Sequence, residues 1–197
     1  MLGIFLDTEA SGLDAKKHKI LEVAFKIVDL SAGEVQDNYE SIVSTSQEEF
    51  TNSDKASLHV NGLTWEVIRQ GTPPNLVSDR ILEIFKKHNI VRGEAVFICQ
   101  NPSFDRIFFT QLVDIDSQES MKWPYHWLDL ASMYWSFAMK NAEEKNSPMP
   151  WDTGFTKDKI AKHFNIGSED TPHRAMNGVE HLLKCYEAVV GFPEKSS

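Results

Sequence analysis

An apolar run that ends in two carboxylates one residue apart, Gly3-Ile4-Phe5-Leu6-Asp7-Thr8-Glu9-Ala10-Ser11-Gly12-Leu13-Asp14, sets the terms for the rest of this chain. Side chains alternate faces along a strand, so Asp7 and Glu9 project from one side where the strand gives way to a glycine turn. Two carboxylates on one face repel unless a cation lies between them. Hard divalent ions suit that place, because Mg²⁺ and Mn²⁺ favour oxygen donors and keep water in their remaining positions. Taken alone, Asp-x-Glu also describes a turn-capping aspartate followed by a solvated glutamate.

A chain of 197 residues can bury one core without splitting, and one domain is expected over residues 1–190 with a C-terminal tail at 191–197. Hydrophobic residues make up 41% and charged residues 25%, the balance of a globular protein rather than a disordered or fibrous one. No apolar run approaches the roughly 18 to 20 residues needed to span a bilayer. No basic region precedes the first strand, so a secretory signal is not expected. Cys99 and Cys185 have no partners at metal-site spacing and read as free thiols in a reducing compartment, which places the protein in the cytoplasm.

The net charge of −9 excludes a protein that coats nucleic acid through a broad basic face. It leaves room for one that grips a strand end, since small basic clusters can steer a phosphate backbone locally. Lys16, Lys17 and Lys19 form one such cluster, Lys86, Lys87 and Arg92 a second, and Lys157, Lys159 and Lys162 a third. Each reads first as a solvated face.

Residues 2–7 read as a buried first strand, and Ile20–Asp29 carries Leu21, Val23, Phe25 and Ile27 on alternate positions as a second. Gly33 and residues 34–43 suggest its hairpin partner. A polar stretch over 47–72 follows. Asn75 is the expected N-cap of a helix over 76–88, and Ala95–Cys99 is a short strand. The Gln100-Asn101-Pro102-Ser103 turn then opens a helix over 103–113 with Asp105 near its start. A strand over 123–127, a helix over 128–140, a long surface loop over 141–156, and helices over 156–164 and 174–190 complete the chain. Strands first, then helices alternating with single strands, predict an α/β fold: a central mixed sheet covered by helices.

Such a sheet can gather Asp7 and Glu9, Asp105 and, just before the last helix, His173. The segments FLDTEASGLD, CQNPSFDRIFF and HRAMNGVEHLL, in that order, resemble the three motifs of the DnaQ-like 3′ to 5′ exonucleases, in the histidine-bearing branch of the DEDD superfamily. HVNGLT, WLDLASM and KIAKHFNI resemble the intervening signatures, so the resemblance spans nearly the whole chain. It implies a ribonuclease H-like, five-stranded mixed sheet and two divalent ions, Mg²⁺ or Mn²⁺, on the terminal phosphodiester. By the same resemblance Asp7 and Glu9 are metal ligands, Asp105 supports the second ion, and His173 is the general base. Thr8 and Ala10 would meet the terminal nucleotide, Leu13 and Phe104 would wedge against its base and sugar, and Asn101 would hold the turn before Asp105. The chemistry agrees. A metal pair about 4 Å apart supplies both a nucleophile at neutral pH and compensation for charge on the leaving oxygen, and an imidazole suits proton transfer near neutrality. Leu13 and Phe104 are equally read as turn or core packing, and an isolated His173 would read as structural.

One position departs from the pattern. The third motif of the family runs H-x-A-x-x-D, and the aspartate that completes the first ion's ligands is here Gly178. Glycine offers no side-chain oxygen and weakens a helix by roughly 1 kcal/mol against alanine. Three outcomes are open: an ion with one ligand fewer, substitution by Asn177, Glu180 or Asp170, or loss of hydrolysis with retained binding. In the first, an aspartate returned to position 178 is expected to raise ion affinity and rate. The expected partner is a single-stranded DNA or RNA 3′ end, with a polymerase or another replication or repair protein as a further partner, and no membrane.

Overall fold

The computed structural model describes residues 1–145 and 147–193. Three strands open the chain as an antiparallel meander: β1 (Leu2–Ala10), β2 (Ile20–Asp29) and β3 (Glu34–Ile42). Three short helices follow, α1 (Gln47–Thr51), α2 (Lys55–Asn61) and α3 (Trp65–Ile68), then α4 (Pro74–Lys87) and β4 (Ala95–Cys99). Next come α5 (Pro102–Phe109), α6 (Ile115–Ser120), β5 (Trp127–Asp129) and α7 (Leu130–Lys145). The chain closes with α8 (Pro150–Thr153), α9 (Lys157–His163) and α10 (Ala175–Val189). The sheet order is β3-β2-β1-β4-β5, with β4 parallel to β1 and β5 parallel to β4, which is the expected mixed five-stranded sheet flanked by helices.

The alternation of β1 decides which helices cover which face. Ile4 and Leu6 point to one side, where Phe25 and Phe97 meet Ile81, Ile84 and Phe85 of α4 and Phe108 and Phe109 of α5. Phe5 points to the other, where Ala24 and Ile98 meet Tyr134 of α7, Ile160 of α9 and Val179 and Leu182 of α10. Each of these large apolar side chains contributes about 1.5 to 3 kcal/mol by leaving water. Asp7 follows Phe5 by two residues, so it faces α10.

Several boundaries differ from the sequence reading. The polar 47–72 stretch folds into three short helices: Ser46 and Glu49 form a capping box for α1, Asp54 caps α2, and Gly62 ends α2 at φ 65°, while α3 has no side-chain cap. Helix α4 begins at Pro74 rather than after an Asn75 cap, because proline at the first helical position gives up an N–H that would have no partner there. Helix α5 stops at Phe109 and β5 starts at Trp127, each several residues from the expected place. Asp114 caps α6, which periodicity did not reveal. The expected loop over 141–156 instead carries the end of α7, with Ala142 buried, and α8; residue 146 lies outside the described residues. Phe192, assigned to the tail, is 3% exposed and meets Tyr186 of α10; residues 194–197 lie outside the described residues. Among the described residues no helix is long and apolar enough to cross a membrane.

Candidate active site

Strand β1 runs further than its apolar run, through Glu9 to Ala10, with a break in register between these two residues. Pairing with β2 therefore fixes both carboxylates: Asp7 lies opposite Ala24 and Glu9 opposite Glu22. One cleft of about 300 Å³ brings Asp7, Glu9, Asp105 and His173 together, with Thr8, Asn101 and Phe104 on its walls. All four candidate catalytic residues thus converge from β1, α5 and the segment before α10.

Each is held by a specific contact. Asp105 is 4% exposed, and its Oδ1 accepts hydrogen bonds from the Thr8 backbone N–H and hydroxyl, both at 3.0 Å. Thr8 therefore locks the head of α5 to β1. Asn101 holds the turn: its carbonyl accepts from the Phe104 N–H at 2.9 Å and its side-chain oxygen from the Ser103 hydroxyl at 2.6 Å. The His173 N–H donates to the carbonyl of Val60 at 3.0 Å, so the end of α2 anchors the histidine. Asn61 ties the same turn to β1, its amide donating to the Ala10 carbonyl at 3.2 Å. Ala10 and Leu13 line a neighbouring hollow of about 350 Å³ that shares Glu9 and Phe104 with the main cleft. Ala10 is buried and Leu13 is 81% exposed, a large apolar side chain standing free at the rim.

The carboxylates strain against one another. Burial, and then the neighbouring charges of Glu169 and Glu22, push Asp7 up to about 6 against the pull of Lys157. Burial and Asp7 push Glu9 up to about 9, and burial and Asp7 raise Asp105 well above the usual aspartate value.

Two residues that the sequence reading left outside the site complete the wall. Lys157, the first residue of α9, places its Nζ 2.7 Å from Glu169 Oε2 and 4.0 Å from Asp7 Oδ1, with a 3.4 Å hydrogen bond to the Gly178 carbonyl. Burial tends to lower its pKa, but Asp7 and Glu169 outweigh burial and raise it. Glu169 is 9% exposed, and its Oε1 lies 3.8 Å from Nδ1 of His173. Against burial, His181 and Lys157 bring Glu169 down to about 2. Lys157 had been read as part of a solvated basic cluster, and Glu169 carries no local signal, since its partners come from other segments. Nor does any residue proposed to replace the missing ligand do so: Asp170, Asn177 and Glu180 line a separate hollow, and Glu180 pairs with Lys26 at 2.8 Å.

The space at position 178 is not free. A Cβ built on Gly178 would overlap Asp7 Oδ2, lie 2.7 Å from Asp7 Cγ and come 3.2 Å from Lys157 Nζ. The Asp7 carboxylate occupies the room that a side chain at 178 would need. An aspartate placed there would have to turn the Asp7 carboxylate aside before it could serve as a ligand.

Among the described residues no group of three or more His, Cys, Asp or Glu side chains forms a cage that could hold a metal ion. Mg²⁺ rarely uses such a cage; it takes one or two carboxylates and shares the phosphates of its substrate. Asp7 and Glu9, hard oxygen donors that repel each other across one face, fit that open arrangement for one divalent ion.

An oligoribonuclease from Corynebacterium glutamicum (strain R) is 25% identical over 133 residues, which cover 60% of this chain and 61% of that protein, so the match spans less than two thirds of the relative. Exonuclease I of E. coli in complex with a dT13 oligonucleotide superposes with a TM-score of 0.76 at 16% identity, over 95% of this chain and 40% of that one. Cell-death related nuclease 4 superposes with a TM-score of 0.70 at 10% identity, over 96% and 63%. These likenesses show a shared fold, the mixed five-stranded sheet flanked by helices. The exonuclease family RNase_T matches residues 4–186, nearly the whole described sheet and its covering helices, and the chain belongs to that family.

Proposed function

We propose that this protein is a metal-dependent exonuclease that removes nucleotides from the 3′ end of single-stranded DNA or RNA. The observation that carries the reading is the convergence of Asp7, Glu9, Asp105 and His173 in one cleft beside an apolar rim. The strand end enters across the rim, where Phe104 and the exposed Leu13 flank the terminal base, and the backbone around Thr8 and Ala10 meets the sugar. Asp7 and Glu9 are the residues that would hold one Mg²⁺ or Mn²⁺ here. When bound, that ion activates water and offsets charge on the phosphate.

The remaining work falls to the chain. His173 takes the proton of the attacking water on Nε2, the ring nitrogen away from Glu169. Glu169 is a positioning residue: it lies 3.8 Å from Nδ1 and meets the positive charge that the ring acquires. Asp105, fixed by Thr8, holds the far wall of the cleft in place. The water oxygen bonds to phosphorus, the P–O3′ bond breaks, and the products are a nucleoside 5′-monophosphate and a strand one nucleotide shorter with a free 3′-hydroxyl.

A second reading, recognition of a strand end without cleavage, is favoured by Gly178, where no side-chain ligand stands. Both are tested by incubating 5′-labelled single-stranded DNA and RNA with the protein in Mg²⁺, Mn²⁺ or EDTA. A ladder of single-nucleotide steps in metal and none in EDTA supports the exonuclease. Retention of the strand on the protein with no shortening in either metal supports the second reading.

A further inference from the structure

We propose that the Lys157 ammonium permanently supplies the positive charge on the Gly178 side of Asp7, so that the cleft takes up one divalent ion and not a pair. This inference rests on the functional reading above. Its first support is spatial. A ligand side chain at 178 is missing, and the volume it would fill is taken by the Asp7 carboxylate, with the ammonium of Lys157 only 3.2 Å from the absent Cβ. A second cation on that side would have to displace the ammonium or be repelled by it.

The second support is how the ammonium is held. Glu169 Oε2 at 2.7 Å and the Gly178 carbonyl at 3.4 Å accept from it, and Asp7 Oδ1 stands at 4.0 Å as a further negative neighbour. The side chain is 13% exposed and Glu169 3%, so this is a desolvated pair within the wall and not a lysine reaching out from the surface. Removing one member of such a pair leaves the other charge buried and unpaired, which keeps the ammonium in place. The backbone that presents it is also fixed: Thr156 caps α9, its hydroxyl accepting from the Lys159 N–H at 3.4 Å, so Lys157 is the first residue of a capped helix.

The third support is the helix itself. Glycine at 178 costs α10 stability relative to alanine, yet here it lets both Asp7 and Lys157 approach the helix backbone. Glycine, lysine and glutamate form one arrangement. The lysine carries the charge, the glutamate holds it, and the glycine makes the room.

The test is the number of ions bound by the intact chain, read by calorimetric titration with Mn²⁺ and by Mn²⁺ electron paramagnetic resonance, in saturating nucleoside 5′-monophosphate. The expected result is one ion per chain with the spectrum of an isolated ion. Lys157→Met is expected to bind two, with a spin-coupled spectrum, because Asp7 and Glu169 then face each other without a cation. Two ions in the parent overturn this inference and leave the functional reading standing. No ion in the parent overturns the functional reading itself. One ion in a folded Lys157→Met shows that the ammonium does not exclude the second and also overturns the inference. Should Lys157→Met not fold by circular dichroism, the parent's own count decides.

Discussion

Arg174 and Glu22, 152 positions apart in the chain, form a two-pronged ion pair with Nη2–Oε1 at 2.7 Å and Nε–Oε2 at 2.9 Å. The Ala175 N–H donates to the same carboxylate at 3.2 Å, so the start of α10 is fastened to β2 immediately beside His173. Glu22 is 2% exposed, and without the guanidinium its charge would be stranded. Arg174→Met should therefore cost about 3 kcal/mol in urea unfolding, the low end for breaking a buried pair because the arginine is partly exposed. A loss of less than about 1 kcal/mol, the range of exposed pairs, would show that the pair does not anchor the helix.

Asp7→Ala should abolish metal-dependent digestion and leave the fold intact, since Asp7 contributes charge and no core packing. The melting temperature without metal should hold or rise as repulsion with Glu9 is relieved. The upward shift produced by Mg²⁺ should disappear, because an ion bound only by the native state stabilises it through its affinity. Digestion at the parent rate would refute the placement of the ion.

His173→Ala should slow single-turnover digestion by roughly two to four orders of magnitude, the range for loss of a general base. Metal affinity, measured separately, should stay near that of the parent. A rate within about threefold of the parent would remove His173 from the chemistry.

Gly178→Ala tests the close approach directly. Helix propensity favours alanine by about 1 kcal/mol, whereas the new Cβ must move the Asp7 carboxylate. Thermal stability should change little as these effects oppose each other, while the rate should fall by about a hundredfold, the cost of misplacing a reacting group by about 1 Å. Unaltered digestion would mean that Asp7 relaxes without consequence.

The pH dependence of stability has a definite sign. Glu9 is raised from 4.5 to about 9 and Asp7 from 3.8 to about 6 in the folded state. The unfolded chain gives up these protons first, so stability is lost as pH rises from about 4.5 toward 9. Glu169, lowered from 4.5 to about 2, adds stability as pH rises between those values and no further slope once the unfolded chain is also ionised, above about pH 5.5. Melting of the metal-free protein should therefore fall from about pH 5 to about pH 9, and Glu9→Gln should flatten that fall. Equal slopes for parent and variant would show that Glu9 is not perturbed by its neighbours.

Local pattern was enough for much of this protein. The alternation in Ile20–Asp29 is β2 as read, the helices expected over 156–164 and 174–190 are α9 and α10 to within a residue, and the apolar run into Asp7-x-Glu9 is the central strand that presents both carboxylates. Periodicity reports which face of an element is apolar, and short caps report where it begins, so such features need no partner to be legible. What the sequence could not decide is which polar groups meet. The packing of α10 against β1 sets Gly178 on Asp7 and brings Lys157, Glu169 and His173 from three segments onto one wall, while Glu22 of β2 reaches Arg174 at the start of α10. Those contacts depend on the depth and rotation at which helices settle on the sheet. That placement is fixed by the shapes of Phe5, Val179 and Leu182 beneath them, and only the folded chain brings these shapes together.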